Sequence, residues 1–214
     1  MEKGADLATR IPDDGARVPL LGTDEMTPAQ RGLYDEVVSG PRGQMIGPLR
    51  AAIHSPELAV RWSRLGEFLR FDTCLPKRLS ELAIIVAGRR WSAQVEWWVH
   101  ARVGVEAGLP QTAIDAIHRL ESPVFNDAAD LEVYEFSRLL QQTGKVPADV
   151  YASITDRWMT VGAVELTAIV GYYTMVAMTL NAHQLPVPDG SQPLPAVNEL
   201  CTLAPGRLAE ERRP

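Results

Sequence analysis

A stretch of apolar residues at helical spacing, residues 79–109, constrains the fold of this chain more than any other feature. It is interrupted only by a short polar bend at residues 89–91. On both sides of the bend, apolar side chains return every three or four residues, which is the period of a helix and not of a strand. Because two helices joined by a short bend pack against each other, the stretch predicts a central helical hairpin.

The remaining chain repeats the signals of helix starts and ends. Residues Thr27–Pro28 and Ser55–Pro56 each place an N-cap residue before a proline suited to the first turn. Gly108 and Pro110 close the hairpin that Pro76 begins. No alternating strand pattern is present, so the sequence predicts an all-α fold. Outside the hairpin, the predicted helices span residues 28–39, 49–54, 57–71, 111–120, 126–143, 148–158 and 161–182.

Composition divides the chain into three parts. Residues 1–25 are rich in proline, glycine and aspartate without periodicity and are predicted to be an N-terminal arm. Residues 26–185 carry the helical pattern and are predicted to form one domain, in line with the chain length. Residues 186–214 have the composition of a loop, and this tail is expected to lie over the surface or over a neighbouring subunit.

Charge and cysteine content limit the class of protein. The net charge of −6 leaves no basic surplus for nucleic acid. The chain holds two cysteines, Cys74 and Cys201, in no paired spacing, which favours a reducing, cytoplasmic setting. The first residues lack the apolar core of a leader, and the run at residues 168–180 is shorter than a membrane span. We therefore expect a soluble cytoplasmic protein with no nucleic-acid or membrane partner.

Three groups capable of proton chemistry lie within the apolar hairpin: Glu81, Glu96 and His100. Glu96 and His100 are four residues apart, so they share one face of a helix, one turn from each other. A carboxylate and an imidazole side by side among tryptophans are the best candidate for a reactive site in this sequence. A buried histidine with only a structural hydrogen bond is the alternative.

These residues carry a resemblance. With Glu81, the Glu96–Trp97 pair, His100 and the following residues 107–109, the chain resembles the carboxymuconolactone decarboxylase family, which has the alkylhydroperoxidase-D-like all-helical fold. Further matching segments lie at residues 54–57, 78–84, 171–173 and 180–182. The resemblance implies a homo-oligomer of helical subunits, a trimer or a hexamer.

The sequence departs from the peroxidase branch of that group. Members of this branch carry C-x-x-C with a histidine four residues after the second cysteine and a glutamate upstream. Here Ala93 and Glu96 occupy the cysteine positions, while His100 and Glu81 match the histidine and the glutamate. Because thiol–disulfide chemistry needs two neighbouring sulfurs, the resemblance is to the branch that lacks C-x-x-C and keeps E-W-x-x-H.

Each candidate has a predicted role. His100 is the acid or base by its intrinsic pKa, and Glu96 is expected to orient its ring or to shuttle the proton. Burial is expected to raise the pKa of Glu81, which would make it a second proton carrier. Alternatively, Glu81 is a structural carboxylate bonded to Arg78 or to helix ends.

A substrate site is predicted around this centre. Arg89 or Arg90, at the bend, is a candidate for holding a substrate carboxylate, and a solvated bend or an intersubunit salt bridge is the alternative. Glu96 paired with either arginine is a further alternative. Trp97 and Trp98 are expected to wall the pocket, and Tyr172 to face it, unless packing alone explains these aromatic residues.

The sequence leaves three functions open. The first is an enzyme without cofactor, a decarboxylase or related lyase acting on a small carboxylic acid or lactone. The second is an oligomeric helical binding protein without activity, and the third is a thiol-dependent peroxidase using Cys74 and Cys201. A metal site is not predicted, since His54, His118 and His183 lack the spacing of a second ligand.

Overall fold

The structure is a computed structural model that describes residues 15–197 and 199–209. Residues 1–14 of the predicted arm and 210–214 of the predicted tail lie outside the described residues. The described part is mostly helical, as the sequence predicts. The helices are α1 Pro28–Ser39, α2 Leu49–Ala52, α3 Pro56–Phe71, α4 Lys77–Arg90, α5 Gln94–Glu106, α6 Gln111–Arg119, α7 Ala128–Thr143 and α8 Ala148–Ala182.

Helix α4 forms the centre of the core. It packs against α5, α7 and α8, and residues 82–87 have no exposed surface. A helix that is apolar on all sides must be enclosed on all sides, which is why the other long helices surround it. The predicted hairpin of α4 and α5 is therefore the central element of the fold.

The helix boundaries follow local capping chemistry. The Thr27 hydroxyl accepts from the Gln30 amide, and the Gln30 side chain accepts from the Thr27 amide at 2.9 Å, which completes a capping box at the start of α1. Asp127 caps α7 by accepting from the Ala129 amide at 2.9 Å. Ser55 makes no side-chain cap bond to α3, unlike the prediction from its sequence position.

Helix α8 contains a break where the sequence predicts one. Trp158 and Met159 have non-helical backbone angles, and Met159 has φ 58° and ψ −172°. Among the described helices, α8 is long and apolar enough to cross a membrane by length and composition, with half of its most apolar window buried. The core helix of a soluble protein passes the same test, so these two properties do not identify a membrane span.

The C-terminal residues extend across the helical domain of the same chain. Val124–Phe125 (β1) pairs in parallel with Arg207–Leu208 (β2), a feature too short for the sequence pattern to predict. Leu203 is buried, and its amide donates to the Gln142 side chain. The Tyr134 hydroxyl donates to the Ala204 carbonyl at 2.7 Å. The tail thus packs on its own subunit through residue 209.

Candidate functional site

A buried ion pair joins the two helices of the hairpin. Glu81 on α4 is 1% exposed and His100 on α5 is 6% exposed, and His100 Nδ1 lies 2.6 Å from Glu81 Oε2. Burial by itself raises the pKa of Glu81, but the charge and hydrogen bond of His100 outweigh it and hold that pKa below its ordinary value. Glu81 is therefore an ionised carboxylate that fixes the orientation of the His100 ring.

The environment of Glu96 shifts its pKa in the opposite direction from that of Glu81. Its side chain is buried, and neither carboxyl oxygen has a hydrogen-bond partner among the residues that the structure describes. Burial raises the pKa of Glu96 well above its ordinary value, and the negative charge of Glu81 raises it further. Glu96 therefore retains its proton to a higher pH than an exposed glutamate does, and this proton is available for donation.

This geometry corrects four interpretations of the sequence. Glu81, and not Glu96, orients the histidine, and its pKa is lowered where we expected an increase. Glu81 does not pair with Arg78, which binds Asp127 and Asp130 instead. Glu96 does not pair with Arg89 or Arg90 in the described chain. Spacing along one helix predicted that Glu96 and His100 share a face, but the partner of His100 comes from the other helix.

A cavity lies against this centre. Its volume is about 60 Å³, which holds about four water-sized groups. Glu96 and His100 form part of its wall, and Glu81 lies behind His100. The other lining residues come from the loop before α2, from the start of α2, and from α3, α5 and α8, and they are Arg42, Ile46, Gly47, Pro48, Leu49, Arg70, Val95, Val99, Tyr172, Tyr173 and Val176.

The two arginines of the bend do not line this cavity. The buried Arg89 side chain donates to the His118 carbonyl at 2.8 Å and to Ser92 Oγ and Cys201 Sγ at 2.9 Å each. Arg90 donates to the Cys201 carbonyl. Both guanidinium groups hold the C-terminal tail on the bend, so the predicted carboxylate clamp is not placed at the cavity by this structure.

The predicted aromatic wall is only partly at the cavity. Trp97 is buried against His118, with ring centroids 5.5 Å apart, and does not line the cavity. Trp98 lines an adjoining chamber, and its Nε1 donates to Asp189 at 2.8 Å. Tyr172 lines the cavity, and its hydroxyl donates to the Trp62 carbonyl at 3.2 Å. Burial raises the pKa of Tyr172 to about 12, so it remains protonated.

Sequence reasoning missed two residues at the site, Arg42 and Arg70, and it left Tyr173 open between facing the pocket and packing. The Tyr173 ring meets the His100 ring edge-on, with centroids 5.2 Å apart. Arg42 lies in the loop between α1 and α2, and Arg70 lies near the end of α3. No motif marks either arginine, because only the packing of separate helices brings them to the hairpin. For Tyr173, the sequence offered one signal, the Gly171–Tyr172–Tyr173 segment that belongs to the resemblance.

The two cysteines are away from the cavity. Cys74 is exposed, and its pKa is raised to about 11 by burial of the sulfur and by Glu165, which keeps the thiol protonated. Cys201 is buried against Arg89 and Ser92. Within residues 15–197 and 199–209, no group of three histidine, cysteine, aspartate or glutamate side chains is placed to hold a metal ion.

Comparison with solved structures identifies the fold. No family model matches the chain, and no curated protein matches its sequence. Solved structures do match. The alkylhydroperoxidase AhpD core of a peroxidase-related protein from Ralstonia eutropha JMP134 has a TM-score of 0.65 at 13% identity, covering 85% of this chain and 98% of that one. The fold is that of alkylhydroperoxidase-D-like proteins.

Two further solved structures with a similar fold are a debrominase and a second peroxidase-related protein. A cysteine-to-alanine variant of the debrominase Bmp8, in complex with 2,3,4-tribromopyrrole, has a TM-score of 0.63 at 13% identity, covering 82% of this chain and 91% of that one. A peroxidase-related protein from Silicibacter sp. TM1040 has a TM-score of 0.63 at 11% identity, covering 81% and 92%. At these identities the likeness establishes the fold, and the chemistry has to be argued from the site.

Proposed function

We propose that this protein is an acid–base enzyme of the decarboxylase type, acting without a cofactor on a small carboxylic acid or carboxylated lactone. One observation carries the proposal: a buried, unpartnered Glu96 lies in the wall of a cavity beside the hydrogen-bonded Glu81–His100 pair. The pKa values of two carboxyl groups of the same hairpin are therefore shifted in opposite directions. Two titratable groups whose environments separate their pKa values are the usual basis for identifying the acid and the base of a site.

The roles follow from the contacts. Glu96 is the proton donor, since its carboxyl group lines the cavity and keeps its proton. His100 Nδ1 is occupied by Glu81, which leaves Nε2 for proton exchange. Glu81 is a positioning residue that acts through His100. The apolar side chains around the cavity exclude water, which favours the loss of charge when a carboxylate leaves as carbon dioxide.

In the proposed step, the bond between the substrate carboxylate and its neighbouring carbon breaks. Its electron pair enters the adjacent unsaturated system, and carbon dioxide leaves. The Glu96 O–H bond then breaks as a new C–H bond forms on the resulting dienolate. His100 returns a proton from solvent to Glu96. The net reaction takes up one proton and releases carbon dioxide, and it needs neither an oxidant nor a reductant.

The resemblance to E-W-x-x-H members supports the decarboxylase reading over the thiol-dependent one. The cysteine positions of the peroxidase branch hold Ala93 and Glu96, and neither Cys74 nor Cys201 lines the cavity. A cytoplasmic location remains part of the proposal, from the cysteine content alone.

A homo-oligomer, a trimer or a hexamer, is also proposed. Exposed large apolar side chains follow one another along α3 and the second half of α8, which is typical of an interaction surface. They are Leu58, Leu65, Phe68, Phe71, Val161, Val164, Met175 and Met178. Light scattering on the purified protein would test the assembly, and a monomer at micromolar concentration would contradict it.

The reaction is tested with a panel of short β,γ-unsaturated acids and carboxylated lactones in D₂O. Carbon dioxide release and deuterium incorporation at carbon are followed by NMR. We expect turnover of at least one panel member, with one deuterium incorporated per carbon dioxide released. Glu96→Gln and His100→Ala should each lower kcat by about 10²–10⁴-fold, the usual contribution of general acid–base catalysis.

The matched control is Glu57→Gln, the same substitution at a mostly exposed carboxylate outside the cavity lining. It should leave turnover unchanged. Turnover that survives both Glu96→Gln and His100→Ala would contradict the proposal. Binding of panel acids without any carbon dioxide or deuterium incorporation would favour the non-catalytic binding protein.

A further inference from the structure

Two arginines at the cavity have unused hydrogen-bond donors. The Nε atoms of Arg42 and Arg70 are buried, and neither has a hydrogen-bond partner in the described part of the chain. The Arg70 guanidinium also lies 5.4 Å from the Phe71 ring centroid. A buried guanidinium N–H without an acceptor costs free energy, and an acceptor supplied by a ligand removes that cost.

The charge balance at the cavity favours an anion. The carboxylate of Glu81 is already bonded to His100, and burial shifts Glu96 towards its protonated form. Arg42 and Arg70 form no ion pair with a carboxylate among residues 15–197 and 199–209, although Arg70 contributes to the lowered pKa of Glu81. The wall facing the cavity thus carries more positive than negative charge.

The arginines lie where two chambers meet. The cavity beside Glu96 and a second chamber of about 130 Å³ share Arg42 and Arg70 in their walls. The second chamber is lined further by Gln44, Trp98 and Arg102. An anion held between Arg42 and Arg70 would therefore place the remainder of a ligand in one chamber and a few atoms next to Glu96 in the other.

The position of Arg42 depends on a glycine of α3. A Cβ built on Gly66 would lie 1.9 Å from the Tyr172 hydroxyl oxygen and 2.6 Å from Arg42 Nη2. Only a residue without a side chain leaves this space to both groups. Tyr172, whose hydroxyl reaches the Trp62 carbonyl through that space, packs Arg42 against the cavity.

We infer that Arg42 and Arg70 form an anion subsite for the carboxylate of a short organic acid, with Tyr172 and Gly66 as the residues that position Arg42. The inference rests on the proposed function for what happens to the acid, but binding at this subsite needs no turnover. A planar guanidinium matches a planar carboxylate, so the subsite favours carboxylates over tetrahedral anions.

The test is calorimetric titration of the full chain with crotonate, a four-carbon unsaturated monocarboxylate, with crotonamide as its neutral counterpart. Crotonate should bind and crotonamide should not. Arg42→Ala and Arg70→Ala should each weaken crotonate binding about tenfold or more, as expected for the loss of one charge-assisted contact. Arg70→Gln serves as a second variant in case the alanine variant folds poorly, as judged by circular dichroism.

Arg61→Ala is the matched control, since Arg61 is an exposed arginine of the same helix, paired with Glu57. It should bind crotonate as the wild type does. Tyr172→Leu should weaken crotonate binding in the wild-type background but not further in the Arg42→Ala background, because it acts through Arg42.

The inference is overturned if crotonate does not bind, if crotonamide binds equally well, or if Arg42→Ala and Arg70→Ala leave the affinity unchanged. Inorganic phosphate is titrated in parallel, and tighter binding of phosphate than of crotonate would reject the carboxylate assignment. Crotonate binding in the expected pattern without carbon dioxide release from the acid panel would refute only the proposed function. Turnover retained in the Arg42→Ala/Arg70→Ala double variant would refute only the subsite.

Discussion

The two walls of the cavity differ in the kind of group that they leave without a hydrogen-bond partner. On the hairpin wall, the buried Glu81 and His100 side chains are bonded to each other, and the buried Glu96 carboxyl group has no partner in the described chain. The opposite wall, formed by the loop before α2 and by α3, carries half-buried Arg42 and Arg70 with unused donors. The unpartnered group on the hairpin wall is an acid suited to proton transfer, and the unpartnered groups on the opposite wall are cations suited to binding an anion.

The largest expected effect is the loss of the bonded pair on the hairpin wall. His100→Ala leaves the Glu81 carboxylate buried without its partner, which should lower the free energy of unfolding by about 3–5 kcal/mol. Urea denaturation at pH 7 measures this. His54→Ala removes an exposed histidine whose Nε2 bonds the Pro19 carbonyl, and it should cost about 1 kcal/mol. Similar losses for the two variants would contradict the comparison.

Unlike His100→Ala, Glu96→Gln should raise the free energy of unfolding, and the size of this increase should depend on pH. The folded-state pKa of Glu96 lies above its ordinary value of 4.5, so the folded protein retains the proton longer than the unfolded chain. The contribution of Glu96 to wild-type stability is therefore fully present below pH 4.5. It decreases as the pH rises towards the folded-state pKa, by about 1.4 kcal/mol per pH unit.

Because glutamine does not titrate, the stability of the variant relative to that of the wild type should increase with pH. Urea denaturation at pH 5.0 and pH 7.0 should give a difference in favour of Glu96→Gln that is larger at pH 7.0. The exposed control Glu57→Gln should show no such growth. A difference that stays constant across this range would mean that Glu96 is ionised in the folded protein.

On the opposite wall, Gly66→Ala should be destabilising by about 1–3 kcal/mol, because the new methyl group collides with the Tyr172 hydroxyl. Tyr172→Leu in the same chain should recover part of the loss. Gly32→Ala is the matched control, since a Cβ at Gly32 in α1 meets nothing within 4 Å and should stabilise by up to about 1 kcal/mol. Thermal melting compares them, and equal Tm shifts would contradict the packing argument.

The smallest effect is expected away from both walls, at the break in α8. Met159 is exposed with a positive φ of 58°, a conformation that glycine adopts without strain, so Met159→Gly should stabilise by about 1 kcal/mol. Met178→Gly, in the regular part of the same helix, should destabilise by about 1 kcal/mol. Chemical denaturation of both variants tests the sign, and destabilisation by Met159→Gly would show that its backbone is not strained.

Much of the fold could be predicted from the sequence because its signals are local. Capping residues and helical periodicity located most helices, and the apolar spacing within residues 79–109 predicted the central hairpin. Even the break at Trp158 and Met159 falls between two helices predicted separately. The parallel pairing of β1 and β2 was not predictable, because two-residue strands leave no period in the sequence.

The site was predictable on one wall only. Glu81, Glu96 and His100 lie within one hairpin, and the sequence brought all three to attention, but it assigned the histidine's partner to the wrong carboxylate. The clamp was expected at Arg89 and Arg90 because they are close in sequence, whereas their donors are used by the tail at Cys201.

By itself, the sequence determined the all-helical fold and the ionisable groups of the hairpin, since helix periodicity and capping depend on neighbouring residues. Only the tertiary structure decided which groups meet. It paired Glu81 with His100, left Glu96 without a partner, and brought Arg42 and Arg70 from separate elements to one cavity. The protonation state of a carboxyl group depends on its burial and on charges contributed by other elements, and both arise only when the helices pack.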